Sequence, residues 1–293
     1  MRLTQSPLFI WTATLVLATS ASTAAAQTAK PTTAPAATPT LAPAVAPAAD
    51  ALPSASDIFA KAVAAAGGAD LIRMQTSRTQ VGTIEMAAQS LKGTITTKSV
   101  SPSLLLIETE LPGFGKTRQG INGTVGWGID PMRGPSLMDG DELTRVLRES
   151  SIESELNPAL GCDSVEVVGR SDFRGTACYK VQLKRGENRS SRFYDLAAGH
   201  LVGSVETVKS SMGEFEVTTS YSKFALFSGR TLATVQENAM MGQTQKLTMN
   251  SVEFAPIDPT DFALPAEIQA LVKVAAAAPA APAAAPTQPT TKK

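Results

Sequence analysis

Segments rich in Thr, Val and Ile recur along most of the chain and are separated by residues that favour turns. They occupy 77–87, 91–100, 103–111, 115–122 and 124–130, then 163–169, 176–184, 190–195, 200–208, 213–227, 230–239 and 243–254. The links between them are short. They include Ser101-Pro102-Ser103, Pro112-Gly113, Asn122-Gly123, Arg174-Gly175, Gly186-Glu187-Asn188, Ala198-Gly199, Ser228-Gly229 and Met241-Gly242. A link of a few residues can only return a strand beside its predecessor, whereas a parallel neighbour needs a crossover of a dozen residues or more. The spacing therefore predicts an antiparallel sheet of about 11–12 strands. A sheet that wide must curl.

Alternation along the strands separates a dry face from a wet one. Leu105, Ile107 and Leu111 share a side with Thr109, against Glu108 and Glu110. Phe215, Val217 and Tyr221 likewise oppose Glu214, Glu216 and Ser220. One buried and one solvated face is the pattern of an antiparallel sheet that needs a cover on one side only. Two helical pieces are available to supply it. The first spans 54–74, with Ser54 or Ser56 as its cap and Gly67-Gly68 as a stop. The second begins at Asp139, with Glu142 three positions on as in a capping box. Leu143, Val146 and Leu147 give this second helix an apolar face suited to lie across the mouth of the curled sheet. Just before it, Asn122-Gly123 closes a hairpin and Trp127 and Ile129 lie on the returning strand. Trp127 reads either as part of an apolar wall or as an ordinary core residue.

Both ends have a different chemistry. Arg2 precedes the apolar run 7–18, and Ala24-Ala25-Ala26 fits the small-residue rule for cleavage. Residues 1–26 are therefore predicted to be a secretory signal peptide, the alternative being an uncleaved anchor. The run is too short to cross a bilayer of roughly 30 Å as a helix, so no transmembrane segment is expected in the mature chain. Residues 27–53 and 273–293 are dominated by Ala, Pro and Thr, which cannot bury enough apolar surface to offset chain entropy. They read as a disordered linker and tail. A single domain over 54–272 remains. Export would place it in the periplasm or outside the cell.

Catalytic and metal chemistry finds little to work with. The single histidine, His200, sits in a turn where an exposed surface position is expected. No Cys/His/carboxylate grouping has metal-ligand spacing, "DGDE" at 139–142 lacks the ligand pattern of a calcium loop, and "LPGFGKT" lacks the first Gly of a P-loop. No serine stands in G-x-S-x-G. Lys plus Arg equals Asp plus Glu, 26 each, without the basic block that nucleic acid would require. No cofactor, metal or catalytic residue is predicted. Cys162 and Cys178 lie in a chain predicted to be exported, where a disulfide is permitted. A hairpin centred near Asp172–Phe173 would set Cys178 opposite Val167, which leaves the pairing open.

Three stretches together resemble the periplasmic lipoprotein carrier (LolA/LolB-like) family. "SPSLLLIETELPGFGKTRQGINGTVGWGIDP" has its proline turn, apolar strand and hairpin leading to an aromatic strand. "YDLAAGHLV" is similar to its tyrosine-aspartate turn, and "VEFAPIDPTDFALP" to its closing segment. The resemblance covers roughly 55 to 268. It implies a mainly β fold with covering helices (α+β), in which the curled sheet forms an unclosed barrel lidded by helices over an apolar cavity. One departure bears on mechanism. The family's arginine before the turn proline, which holds the lid closed, is replaced here by Ser101. Serine cannot supply the multi-donor fork of a guanidinium.

The function so implied is that of a non-enzymatic exported carrier whose hydrophobic ligand is an acyl chain, a lipid or a lipidated protein. Its wall is expected to comprise Leu105, Ile107, Trp127, Ile129, Phe215, Val217 and Tyr221, with Leu143 and Val146 from the lid. The alternative is a cell-envelope sensor or scaffold that uses the same fold to bind an envelope protein partner.

Overall fold

The computed structural model describes residues 51–138, 140–210 and 213–277. The signal-peptide stretch, most of the linker, the end of the tail and the capping position Asp139 lie outside the described residues. The chain divides into two units, Met1–Pro53 and Ser54–Lys293, and every helix and strand described belongs to the second.

Helix α1 (Ala55–Ala65) begins where Ser54 accepts the Asp57 N–H while the Asp57 carboxylate accepts the Ser54 N–H, a reciprocal capping box. Gly67 and Gly68, both at positive φ, end it and lead into the short α2 (Ala69–Met74). Thirteen strands follow. The first six are β1 (Ser77–Met86), β2 (Leu91–Val100), β3 (Leu104–Leu111), β4 (Gly115–Asn122), β5 (Val125–Asp130) and β6 (Gly134–Leu137). Helices α3 (Gly140–Ser150) and α4 (Ile152–Leu156) intervene. Then come β7 (Ser164–Phe173), β8 (Thr176–Arg185), β9 (Asn188–Asp195), β10 (Leu201–Ser210), β11 (Gly213–Phe227), β12 (Arg230–Met240) and β13 (Gln243–Glu253), before a last helix α5 (Ala266–Ala277).

All thirteen strands form one sheet in the order β6-β5-β4-β3-β2-β1-β13-β12-β11-β10-β9-β8-β7, and every pairing is antiparallel. Sequence neighbours are spatial neighbours except at two places: β1 pairs with β13, and β6 and β7 are the two free edges. The segment holding α3 and α4 thus connects one edge of the sheet to the other. The barrel is not closed.

Helix α3 reveals how strongly the sheet curls. A Cβ built on Gly126 of β5 would meet the Leu143 Cδ1 at 2.7 Å, so one end of α3 rests on β5. Six residues further along the helix, roughly 9 Å at 1.5 Å per residue, the Glu149 carboxylate feels the charges of Arg192 on β9 and Glu206 on β10. In sheet order β5 and β10 are eight strand steps apart, roughly 38 Å if the sheet were flat at about 4.8 Å per step. One short helix reaches both because the sheet wraps around it.

Register assigns side chains to the two faces. Leu105, Ile121 and Gly126 are cross-strand partners and define the inner face, the one that α3 covers. Helix α1 covers the same face at the far edge, where Ile58 and Phe59 pack on Val181, Leu183 and Tyr194. On the outer face, Trp127 and Leu106 pack beneath Phe262 and Ile268 of the C-terminal segment. Helix α5 runs to Ala277, beyond the residue-272 limit read from composition, and it was not among the two helical pieces the sequence suggested. Strand β6 was also unexpected. It is short, carries Pro135 and sits at a free edge, a common way to blunt an edge strand.

The cysteines are both free. The turn after β7 falls at Arg174–Gly175, so Cys178 lies opposite Ser171 rather than Val167. Cys178 is buried on the outer face with Phe193 and Val202, whereas Cys162 packs into the cluster beneath α1. The sheet separates them.

Candidate functional site

The inner face changes character across its width. On β3 and β4 it is apolar, with Leu105, Ile107, Leu111 and Ile121 in one patch. Ile107 is 2% exposed and Ile121 0%. Met138 and Leu143 of the lid segment lie over this side, directly against Gly126, and Val146 one turn along the same helix is buried. Gly126 makes the close approach possible, since any side chain there would occupy the space of Leu143.

From β9 to β13 the same face becomes polar. One row of cross-strand partners reads Arg192, Ser204, Thr219, Asn238 and Gln245. Asn238 Oδ1 accepts from Thr219 Oγ1 at 3.0 Å and from Gln236 Nε2 at 3.1 Å. The Gln245 side chain is buried, and its carbonyl oxygen has no partner. Apolar residues persist at Val217 and, by strand alternation, Phe215 and Tyr221, all half-buried.

This half of the inner face also carries ionisable side chains. Arg192 and Tyr194 stand two residues apart on the inner face of β9, and Glu206 lies on the same face of the neighbouring β10. Burial pushes the Tyr221 hydroxyl up to about 12. Burial also raises the Glu149 carboxyl above its ordinary value, outweighing Arg145, which pairs with it at 3.2 Å. Yet 41% of the Glu149 side-chain surface is accessible. Tyr221 and Arg192 are half-buried on the same inner face.

Two contacts tie down the segment after α3. The Ile152 N–H at the start of α4 donates to Ser101 Oγ at 3.3 Å. The buried Arg230, at the start of β12, pairs with Glu155 of α4 and donates from Nε to the Ala66 carbonyl at the end of α1 at 3.1 Å. Ser101 therefore does touch the lid region, as a weak neutral acceptor, while a guanidinium from a different strand supplies the ionic contact.

The sequence-derived wall is split by these observations. Leu105, Ile107, Phe215, Val217 and Tyr221 share the inner face, with Leu143 and Val146 on the helix associated with it. Trp127 and Ile129 do not join them. Trp127 pairs in register with Gly120, which pairs with Leu106, and all three belong to the outer face. The Trp127 indole lies over Gly120, where a Cβ would be 3.1 Å from the ring. Arg192, Glu206 and Glu149 were not singled out in the sequence, and Tyr194 entered only through the tyrosine-aspartate turn. Register sets Arg192, Tyr194 and Glu206 on one face, which no single strand reveals.

His200 is stacked on Phe224 at 4.3 Å between ring centroids, half-buried rather than exposed, and its pKa is lowered by burial. Among the described residues, no group of three or more His, Cys, Asp or Glu is placed to hold a metal ion. No helix there is long and apolar enough to cross a membrane.

No protein-family model matches the chain, and no curated protein matches it in sequence. Solved structures do match. A LolA superfamily protein from Nitrosomonas europaea is similar over 73% of this chain and 99% of its own, at 14% identity and a TM-score of 0.51. The fold is LolA-like. A DUF1329 family protein from Desulfovibrio piger gives the same TM-score, 0.51, at 11% identity, covering 71% of this chain and 96% of the other.

Proposed function

We propose that the chain is an exported, non-enzymatic carrier that holds the hydrocarbon part of a lipid, or of a lipidated protein, between the inner face of the sheet and α3. The observation that carries this reading is the apolar inner-face patch of Leu105, Ile107, Leu111 and Ile121, covered by α3 in a LolA-like fold. Burial of a hydrocarbon chain there would contribute about 25 cal/mol per Å² removed from water. The apolar half is closed by Leu143 and Met138, so uptake requires α3 to lift. The residues we assign to the wall are Leu105, Ile107, Phe215, Val217 and Tyr221, with Leu143 and Val146 from the lid. Residues 1–26 direct export and are removed, 27–53 form a linker, and the site of action is the periplasm or the exterior.

The tight packing of Leu105, Ile107 and Ile121 favours a second reading, a cell-envelope scaffold that binds a protein partner through its surface. A fluorescent acyl probe separates the two. The carrier reading expects saturable binding, with Val217→Glu at least tenfold weaker, about 1.4 kcal/mol. Glu237→Gln, whose side chain pairs with Arg174 on the outer face, should bind like the unsubstituted protein. Absence of probe binding would leave the scaffold reading in its place.

A further inference from the structure

The inner face carries a feature that a hydrocarbon chain alone does not explain: buried carboxamides where its apolar and polar halves meet. Register sets Thr219 of β11, Asn238 of β12, Gln245 of β13 and Met86 of β1 side by side. Asn238 is 8% exposed and Gln245 6%. The Asn238 carbonyl oxygen accepts from Thr219 Oγ1 at 3.0 Å and from Gln236 Nε2 at 3.1 Å, which uses both of its lone pairs. The N–H groups on the other branch of that amide find no acceptor among the described residues. The neighbouring Gln245 has the complementary lack. Its buried Oε1 accepts nothing, although an amide oxygen can take two hydrogen bonds. An unused donor and an unused acceptor thus stand on adjacent strands.

Burying a polar group without a partner is costly, and folded proteins pair the large majority of such groups. The fold draws no bond from Gln245 in return, and those of Asn238 stay within β11 and β12. The surroundings are those of an amphiphile's junction. Ile84 and Met86 of β1 are buried on the same face. Ile84 pairs with Gly93 of β2, and a Cβ on Gly93 would be 2.9 Å from Leu111 Cδ2. Apolar surface therefore runs from beside Gln245 to the Leu111 and Ile107 patch. On the opposite side Thr219, Gln236 and Tyr221 are only half-buried, which leaves the inner face accessible next to the amide pair. Thr219, Gln236, Asn238 and Gln245 are all neutral, so an ionised head would find no counter-charge among them. We infer that the ligand has an uncharged head with a hydrogen-bond donor beside an acceptor, an amide or a glycerol hydroxyl. The donor engages Gln245 Oε1, the acceptor takes a hydrogen bond from Asn238 Nδ2, and the hydrocarbon chain runs toward Leu111 and Ile107. This inference rests on the carrier reading and names the chemistry of its cargo.

Three probes with the same C18 chain test it on the full-length protein. Oleamide and monoolein offer both donor and acceptor, whereas methyl oleate offers acceptors only. The first two are expected to bind at least tenfold more tightly than the ester, about 1.4 kcal/mol. Gln245→Met, similar in volume but without the amide, should remove that preference by weakening oleamide and monoolein while leaving methyl oleate unchanged. It should not lower Tm, because an unpaired amide leaves the interior. If only one of the two donor heads is preferred, the head group is of that kind. Equal affinity for all three in the unsubstituted protein would overturn the neutral hydrogen-bonding head while keeping the carrier. A fall in Tm with uniform loss of all three in Gln245→Met would assign Gln245 to the fold alone and overturn its place in the site. If none of the three binds, the carrier reading fails and the inference falls with it.

Discussion

Gly126→Ala is a single methyl added where α3 meets the sheet. The backbone is extended there and its φ is not positive, so alanine brings no conformational strain of its own. The cost is steric. The new Cβ would stand 2.7 Å from Leu143 Cδ1, 3.0 Å from Met138 Cβ and 3.1 Å from Met138 Sδ. Apolar carbons pack best at about 3.5–4.0 Å, so the helix must withdraw by roughly 1 Å. Overpacking of this kind typically costs about 1–3 kcal/mol. For a domain of this size, about 2 kcal/mol corresponds to a fall of roughly 4–8 °C in Tm. Amide hydrogen exchange should quicken in α3 more than in β1 or β13, because the strain is relieved by lifting the lid. The decisive form is a double-mutant cycle with Leu143→Ala. Removing the Leu143 side chain makes room for the methyl, so the double variant should be little worse than Leu143→Ala alone, with a coupling of about 1 kcal/mol or more. Additive losses, or an unchanged Tm in Gly126→Ala, would refute the placement of α3 on the inner face.

Trp127→Ala should cost about 3–5 kcal/mol in urea unfolding, as expected for a buried indole, yet leave acyl-probe affinity within twofold, because Trp127 lies under α5 on the outer face. Alkylation at pH 8 should label Cys162 well before Cys178, whose thiol burial pushes up to about 11, and reducing agent should not change Tm. Glu149→Gln should raise Tm at pH 7. The folded-state pKa lies above the ordinary 4.5, so the fold favours the neutral carboxyl, and the penalty is full only above the folded value. The gain should shrink as the pH is lowered past 4.5, and it is reduced throughout by loss of the Arg145 pair, worth about 0.3–0.5 kcal/mol. An equal or larger gain at pH 4 would contradict the assignment.

The antiparallel order was legible because short, turn-rich links leave no other arrangement. The closure of β1 on β13 was not, since it joins the two ends of the strand series and no local signal encodes it. Helix α5 was hidden by composition. Its Ala-rich sequence resembles the tail that follows, although Ile268, Leu271 and Val272 follow helical spacing and pack against the Trp127 cluster. On β5, alternation misled for a specific reason. Its inner positions are Gly126 and Gly128, so the face that receives the lid shows no side chain, and the apolar residues on view, Trp127 and Ile129, point the other way. On β3 both faces carry leucine, Leu105 inward and Leu106 outward, and the glutamates mark only where the outer face is left uncovered. The polar half of the inner face could not be read at all, because a row such as Arg192, Ser204, Thr219 and Asn238 looks solvent-facing in any one strand.

The central claim is that a hydrocarbon chain enters the curl on the face beneath α3. It is tested most directly by photo-crosslinking with a fatty acid that carries a diazirine in mid-chain, followed by peptide mapping. Labelling is expected on β11 around Phe215, Val217 and Tyr221, and on Leu105, Ile107 or Leu143, with competition by unlabelled fatty acid. Labelling confined to the outer face, at Trp127, Ile129 or α5, or labelling that no competitor reduces, would contradict it.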